Sequence, residues 1–157
     1  MNARDVLQYG QRTALAAVEG FPEVSLDVAG ACGSWSVKDI IAHLTSYEEV
    51  LIDILSGFLG RHATPSLDRY IELGERFNEV EVEKRRDRTA RALLDEFGDA
   101  HAQVMELASG ISSDTFRQVG TLPWYGAEYA LDDLLVYMYY GHKREHSAQI
   151  AAFRDRL

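Results

Sequence analysis

Trp35-Ser36-Val37-Lys38-Asp39-Ile40-Ile41-Ala42-His43-Leu44 opens the segment that decides the fold class. Ser36 is a good helix N-cap, Asp39 stands three residues on where a capping-box partner belongs, and Trp35 precedes it as a hydrophobic staple. Beyond the cap, apolar residues recur at Ile40, Ile41, Leu44, Tyr47, Val50, Leu51, Ile54, Leu55 and Phe58. That spacing belongs to a long helix with one face in a core. His43 falls on the same stripe, between Ile40 and Tyr47, and is expected to point inward.

Three more helices follow from the same periodicity. The first spans about Ala3 to Glu19; Asn2 with Asp5 resembles a capping box, and Gly20-Phe21-Pro22 ends it. After a turn at about Gly60 to Pro65, Leu67 to Phe77 reads as a short helix. A third long helix is expected from about Val80 to Ala108, with Leu93, Leu94, Phe97, His101, Val104 and Met105 on its apolar side and Gly110 as its stop. Residues 111–116 read as a one-turn connection, and Gly120 to Gly126 as a loop. The last helix is expected from about Ala130 to Arg154. Its stripe is Leu131, Leu134, Leu135, Met138, Tyr139, His142, His146, Gln149, Ile150 and Phe153, with Lys143 and Arg144 on the polar face. No segment reads as a strand. The expected architecture is an all-α four-helix bundle forming one domain over residues 1–157.

Bulk properties narrow the function. The chain is 46% hydrophobic and carries a net charge of −9. An acidic chain lacks the basic surface that binds nucleic acid by displacing counterions. The basic cluster Lys84, Arg85, Arg86, Arg88 and Arg91 is interleaved with Glu79, Glu81, Glu83 and Asp87, so a solvated helix face with local ion pairs is expected. No apolar run reaches the roughly 18 residues of a membrane span. Met1-Asn2-Ala3-Arg4-Asp5 has no secretory pattern, which leads to the expectation of a cytoplasmic protein without membrane contact. The single cysteine, Cys32, forms no disulfide within the chain and lies in a Gly-rich loop with no basic neighbour to activate it.

The candidate chemistry is in the histidines. His142 and His146 are four residues apart, which puts two imidazoles on one helix face, one turn apart. His43, from a facing helix, would complete three protein ligands and leave positions open for water or substrate, as in a catalytic metal site. His101 falls on an inward face, for packing, a hydrogen bond or a fourth ligand; His62 belongs to an exposed turn.

The segment at 35–44 resembles the second-helix signature of the DinB/YfiT-like superfamily. His142-Lys143-Arg144-Glu145-His146-Ser147-Ala148-Gln149 is similar to that family's last-helix motif, in which two histidines four apart precede a glutamine. The order, spacing and helix lengths match over nearly the whole chain. The resemblance implies a bundle of up-down-down-up topology and a divalent metal, zinc or nickel, on His43, His142 and His146. It implies a homodimer, and an activity such as transfer of a low-molecular-weight thiol or metal-dependent hydrolysis. A metal-free branch shares the Trp-Ser-Val-Lys-Asp motif but lacks the paired histidines kept here.

Other residues gain candidate roles from their places beside the histidines. Glu145, at the edge of the metal face, could act on a bound water as a base or form an ion pair with a neighbouring arginine. His142-Lys143-Arg144-Glu145-His146 also fits the His-x-x-Glu-His pattern of inverted zinc proteases, but the chain ends eleven residues later without a convincing acidic ligand. Glu48, one turn after His43, is a second candidate base or a support for the ligands. Gln149 is placed to hold His146. Tyr47 and Tyr139, each one turn from a histidine, are the best placed to wall a pocket over the metal. The expected activity is S-transfer from a thiol to an electrophile or hydrolysis of a small-molecule substrate; a non-catalytic stress-related or ligand-binding bundle is the alternative. Arg61, Arg69 and Arg76 are the available contacts for an anionic thiol cofactor.

Overall fold

The computed structural model describes residues 2–157, and they are helical, with only two isolated β-bridges, Cys32–Trp35 and Val119–Ala130. Helix α1 spans Ala3–Val18, capped by the Asn2 side chain, which accepts from the Arg4 N–H. Helix α2 spans Val37–Phe58. Its capping box is formed in both directions: the Asp39 N–H donates to Ser36 Oγ at 3.1 Å and the Ser36 N–H to Asp39 Oδ2 at 3.0 Å. Gly20 closes α1 at φ 69°, a left-handed conformation that glycine adopts without steric penalty.

The third helix departs from expectation. Helix α3 (Pro65–Leu73) leads through a 3₁₀ turn at Gly74–Arg76 into α4 (Phe77–Lys84), and α5 (Ala90–Ser109) starts only after a break. The single helix read over residues 80–108 is therefore two. Thr89 starts the second by accepting the Ala92 N–H. Arg85 occupies the break and is 1% exposed. Its guanidinium meets Glu81 at 2.7 Å, Glu49 at 2.8 Å and Glu96 at 3.3 Å. The basic cluster is thus not wholly a solvated face: Arg86–Glu83 and Arg91–Asp95 are surface pairs, but Arg85 is a buried hub.

Helix α6 (Ser113–Arg117) lies in the connection, and the last helical segment is continuous but not uniform. It runs from α7 (Leu131–Leu134) through a π-helical stretch, Leu135–Gly141, into α8 (His142–Arg154). Wider π turns crowd the backbone differently, and two glycines sit where the chain is tight. A Cβ on Gly141 would lie 3.2 Å from the Val136 carbonyl, five residues back. A Cβ on Gly10 would lie 3.4 Å from Tyr140 Cα, where α1 crosses this stretch.

Helix α2 packs along α5, and α1 packs along α8 and the π stretch. The apolar core falls into two parts. One contains Leu7, Leu51, Leu55, Val104, Leu134 and Tyr139; the other contains Ala14, Ile40, Leu44, Phe97, Ile150 and Phe153. Between them every long helix contributes a polar residue: Gln11 from α1, His43 and Glu48 from α2, His101 from α5, Lys143 and His146 from α8. A transverse polar layer therefore divides the apolar interior, and the histidines belong to it. No helix among the described residues is long and apolar enough to cross a membrane.

Candidate metal centre

His43 comes seven residues after the Ser36 cap, two turns into α2, and the start of α8 carries His142 and His146. Their Nε2 atoms converge. His142 Nε2 lies 2.9 Å from His43 Nε2 and 2.9 Å from His146 Nε2. One ligand atom from each of the three falls within 4.8 Å of the others. Two nitrogens bound to one zinc at ~2.0–2.1 Å in tetrahedral geometry lie about 3.3 Å apart, so this spacing is close to that of a closed coordination triangle.

The outer ring nitrogen of His146 fixes its tautomer. His146 Nδ1 is 2.8 Å from Gln149 Oε1, an acceptor, so Nδ1 carries the proton. The Met138 backbone, one turn back, favours the charged form of His142. With its proton on Nδ1, His146 turns a bare Nε2 lone pair toward the other two rings. Burial pushes all three pKa values below the ordinary histidine value, and the neighbouring imidazoles add to the effect for His43 and His142. His43 falls to about 2 and His142 to about 4; His146 is lowered mainly by burial, against Gln149 and Glu145, which raise it. At neutral pH the cluster is three uncharged donors converging on one point, and a cation is what such a set fits. His43 Nδ1 is buried without a partner.

The remaining candidates divide. Gln149 holds His146 as read from the sequence. Tyr47 walls the site: its ring centroid is 4.7 Å from that of His43 and 4.8 Å from that of His142. Tyr139 does not wall it. It is buried in the apolar core, and its hydroxyl donates to the Tyr47 carbonyl at 2.9 Å, so it positions the backbone behind Tyr47. Glu145 is exposed, and among the described residues no ion pair holds it; its carboxylate is near enough to His146 to favour the charged imidazole. Glu48 is fully buried and faces Lys143 Nζ at 2.5 Å and His101 Nδ1 at 3.6 Å, rather than the three Nε2 atoms. Burial raises its pKa, but Lys143 and His101 outweigh that and hold it below the usual carboxylate value. His101 thus sits in the polar layer outside the histidine triangle, and His62 is exposed.

Two residues were not legible. Lys143, assigned above to the polar face, is 2% exposed, with its ammonium also donating to Gln11 Oε1 at 3.0 Å and lying over the Phe97 ring. The π stretch turns this position inward, and no residue type announces a π turn. Trp35, read only as a staple, packs its ring 4.9 Å from that of His43 and donates its indole N–H to Glu79; its place directly before the Ser36 cap was the available signal.

Tyr47 also lines a cleft of about 490 Å³ with Tyr70, Trp124, Tyr125 and Met138. Of the three arginines considered for an anionic cofactor, Arg69 is engaged by Glu81 at 3.0 Å, Arg61 and Arg76 point from exposed turns, and none lines this cleft.

With this geometry in hand, comparison with known proteins gives one match. The family model of the DinB superfamily covers residues 7–150, and the chain belongs to that superfamily. Neither a curated protein nor a solved structure matches the chain significantly.

Proposed function

We propose that this member of the DinB superfamily is a divalent-metal-dependent enzyme acting on a small molecule, with His43, His142 and His146 as the ligands. The observation that carries the reading is the convergence of three uncharged Nε2 atoms from two helices, those of His43 and His146 on buried residues and that of His142 on a half-buried one. Imidazole ligands suit zinc and nickel. When bound, the ion supplies Lewis acidity and lowers the pKa of a water or thiol that reaches it. Gln149 keeps the His146 imidazole in the ligating tautomer. Tyr47 shields one side of the site from water, and Tyr139 fixes Tyr47 from behind. Glu145, exposed at the rim, is the available base for a proton leaving the site; Glu48, tied to Lys143, holds α2 against α8.

Hydrolysis and thiol S-transfer both fit this centre. The cleft favours hydrolysis, because no cationic side chain lines it to receive an acidic thiol cofactor. The proposed architecture is a single-domain four-helix bundle of up-down-down-up topology, working in the cytoplasm as a homodimer. The test is a panel of ester, amide and electrophilic substrates offered to zinc- and nickel-loaded protein with and without added thiol. Turnover without thiol supports hydrolysis, turnover only with thiol supports transfer, and inactivity of the loaded protein against the whole panel favours a binding bundle.

A further inference from the structure

The cleft beside the histidines has a composition that the metal reading does not explain. Four aromatic side chains follow one another along it, each turned against the next. Tyr47 and Tyr70 have centroids 5.8 Å apart at 81°, Tyr70 and Trp124 5.9 Å at 76°, and Trp124 and Tyr125 5.8 Å at 71°. The four rings are steeply tilted to one another rather than stacked, so none is covered face to face by the next. The face of an aromatic ring is its negative pole. Glu75 is the one charged side chain in the lining, and it is anionic; among the described residues no ion pair holds it. The chain as a whole carries −9.

We propose that this cleft binds a small organic cation, a quaternary ammonium or a protonated amine, through the faces of Tyr47, Tyr70, Trp124 and Tyr125 and the carboxylate of Glu75. Cation–π attraction supplies the affinity, and it is strongest over Trp and in sites shielded from water. A neutral apolar molecule would find the same area but no use for Glu75, and an anion would meet ring faces and a carboxylate together. The volume of about 490 Å³ admits a molecule larger than the head group alone. Because Tyr47 both lines the cleft and packs against His43 and His142, a cation seated there would place the rest of its substrate beside the metal centre. To that extent the inference rests on the function proposed above and names its substrate class.

The test is isothermal titration of the zinc-loaded protein with choline and with its uncharged isostere, 3,3-dimethylbutan-1-ol. Choline is expected to bind about tenfold tighter than the isostere. Glu75→Gln is expected to weaken choline about three- to tenfold and leave the isostere unchanged. Equal binding of the two probes, or no binding of choline at millimolar concentration, would overturn the proposal. The same titration on a His142→Ala, His146→Ala double variant separates the two readings. Choline binding that survives there, or in a native protein that takes up no metal, upholds the cleft while the metal reading stands or falls alone.

Discussion

His43 and His142 do their work by being unable to hold a proton. Their folded pKa values of about 2 and about 4 lie below the ordinary 6.5. Between pH 6.5 and 4 the unfolded chain therefore binds protons that the folded chain refuses, so stability is full above 6.5 and is lost as pH falls through that window. The ceiling is about 1.4 kcal/mol per pH unit for each histidine, reduced for His142 because it is only partly buried. We expect the urea midpoint of chelator-treated protein to drop clearly between pH 7.5 and 5.5. The carboxylates with lowered pKa values, Glu48 and Glu81, titrate below that range and do not obscure the effect. An unchanged midpoint would mean that the histidines are not buried as neutral donors. Gln149 belongs to the same scale. Gln149→Leu removes the acceptor that fixes the His146 tautomer and is expected to weaken metal binding about 10–100-fold by chelator competition, while Gln149→Glu retains it.

Among the elements, the most consequential were the least visible in the sequence. The Ser36 capping box and the α2 stripe were readable because they obey local rules. The break at residues 85–89 was not, because Arg85 leaves an otherwise helical pattern for three carboxylates, from Glu49, Glu81 and Glu96, that only the tertiary fold brings together. Arg85→Ala strands the buried Glu81 with Arg69 as its main partner and is expected to cost about 3 kcal/mol in urea denaturation; a loss under about 1 kcal/mol would show the hub to be incidental. The π stretch is the second hidden element. Deleting the exposed Tyr137 should convert it to an α-helix, and because the wide turn takes up one extra residue, the segments on either side keep their facing. The expected result is a protein of unchanged helicity by circular dichroism that still retains zinc. Loss of zinc would show that the π turn itself is needed to set His142 and His146.

On the scale of the whole molecule, the design is two apolar half-cores separated by one polar layer. Buried polar groups are costly unless paired. Here Lys143 links Gln11 of α1 to Glu48 of α2, with His101 of α5 3.6 Å from Glu48, while the inward Nε2 atoms of the three histidines face only one another. The helical class and the three histidines were legible because periodicity and i, i+4 spacing are local. The layer was not, since it needs Gln11 and Lys143 to meet across 132 residues of sequence. Tyr139 was misjudged for the same reason: a position on the stripe says that a side chain faces inward, not which of two compartments receives its hydroxyl. The central claim is that the unpartnered part of the layer is completed by a metal ion. Its most direct test is metal content by mass spectrometry of protein purified without a histidine tag, beside a His142→Ala, His146→Ala double variant. The account predicts about one equivalent of divalent metal per chain, lost in the variant. A native protein that carries none, and takes up neither zinc nor nickel when they are supplied, would contradict it.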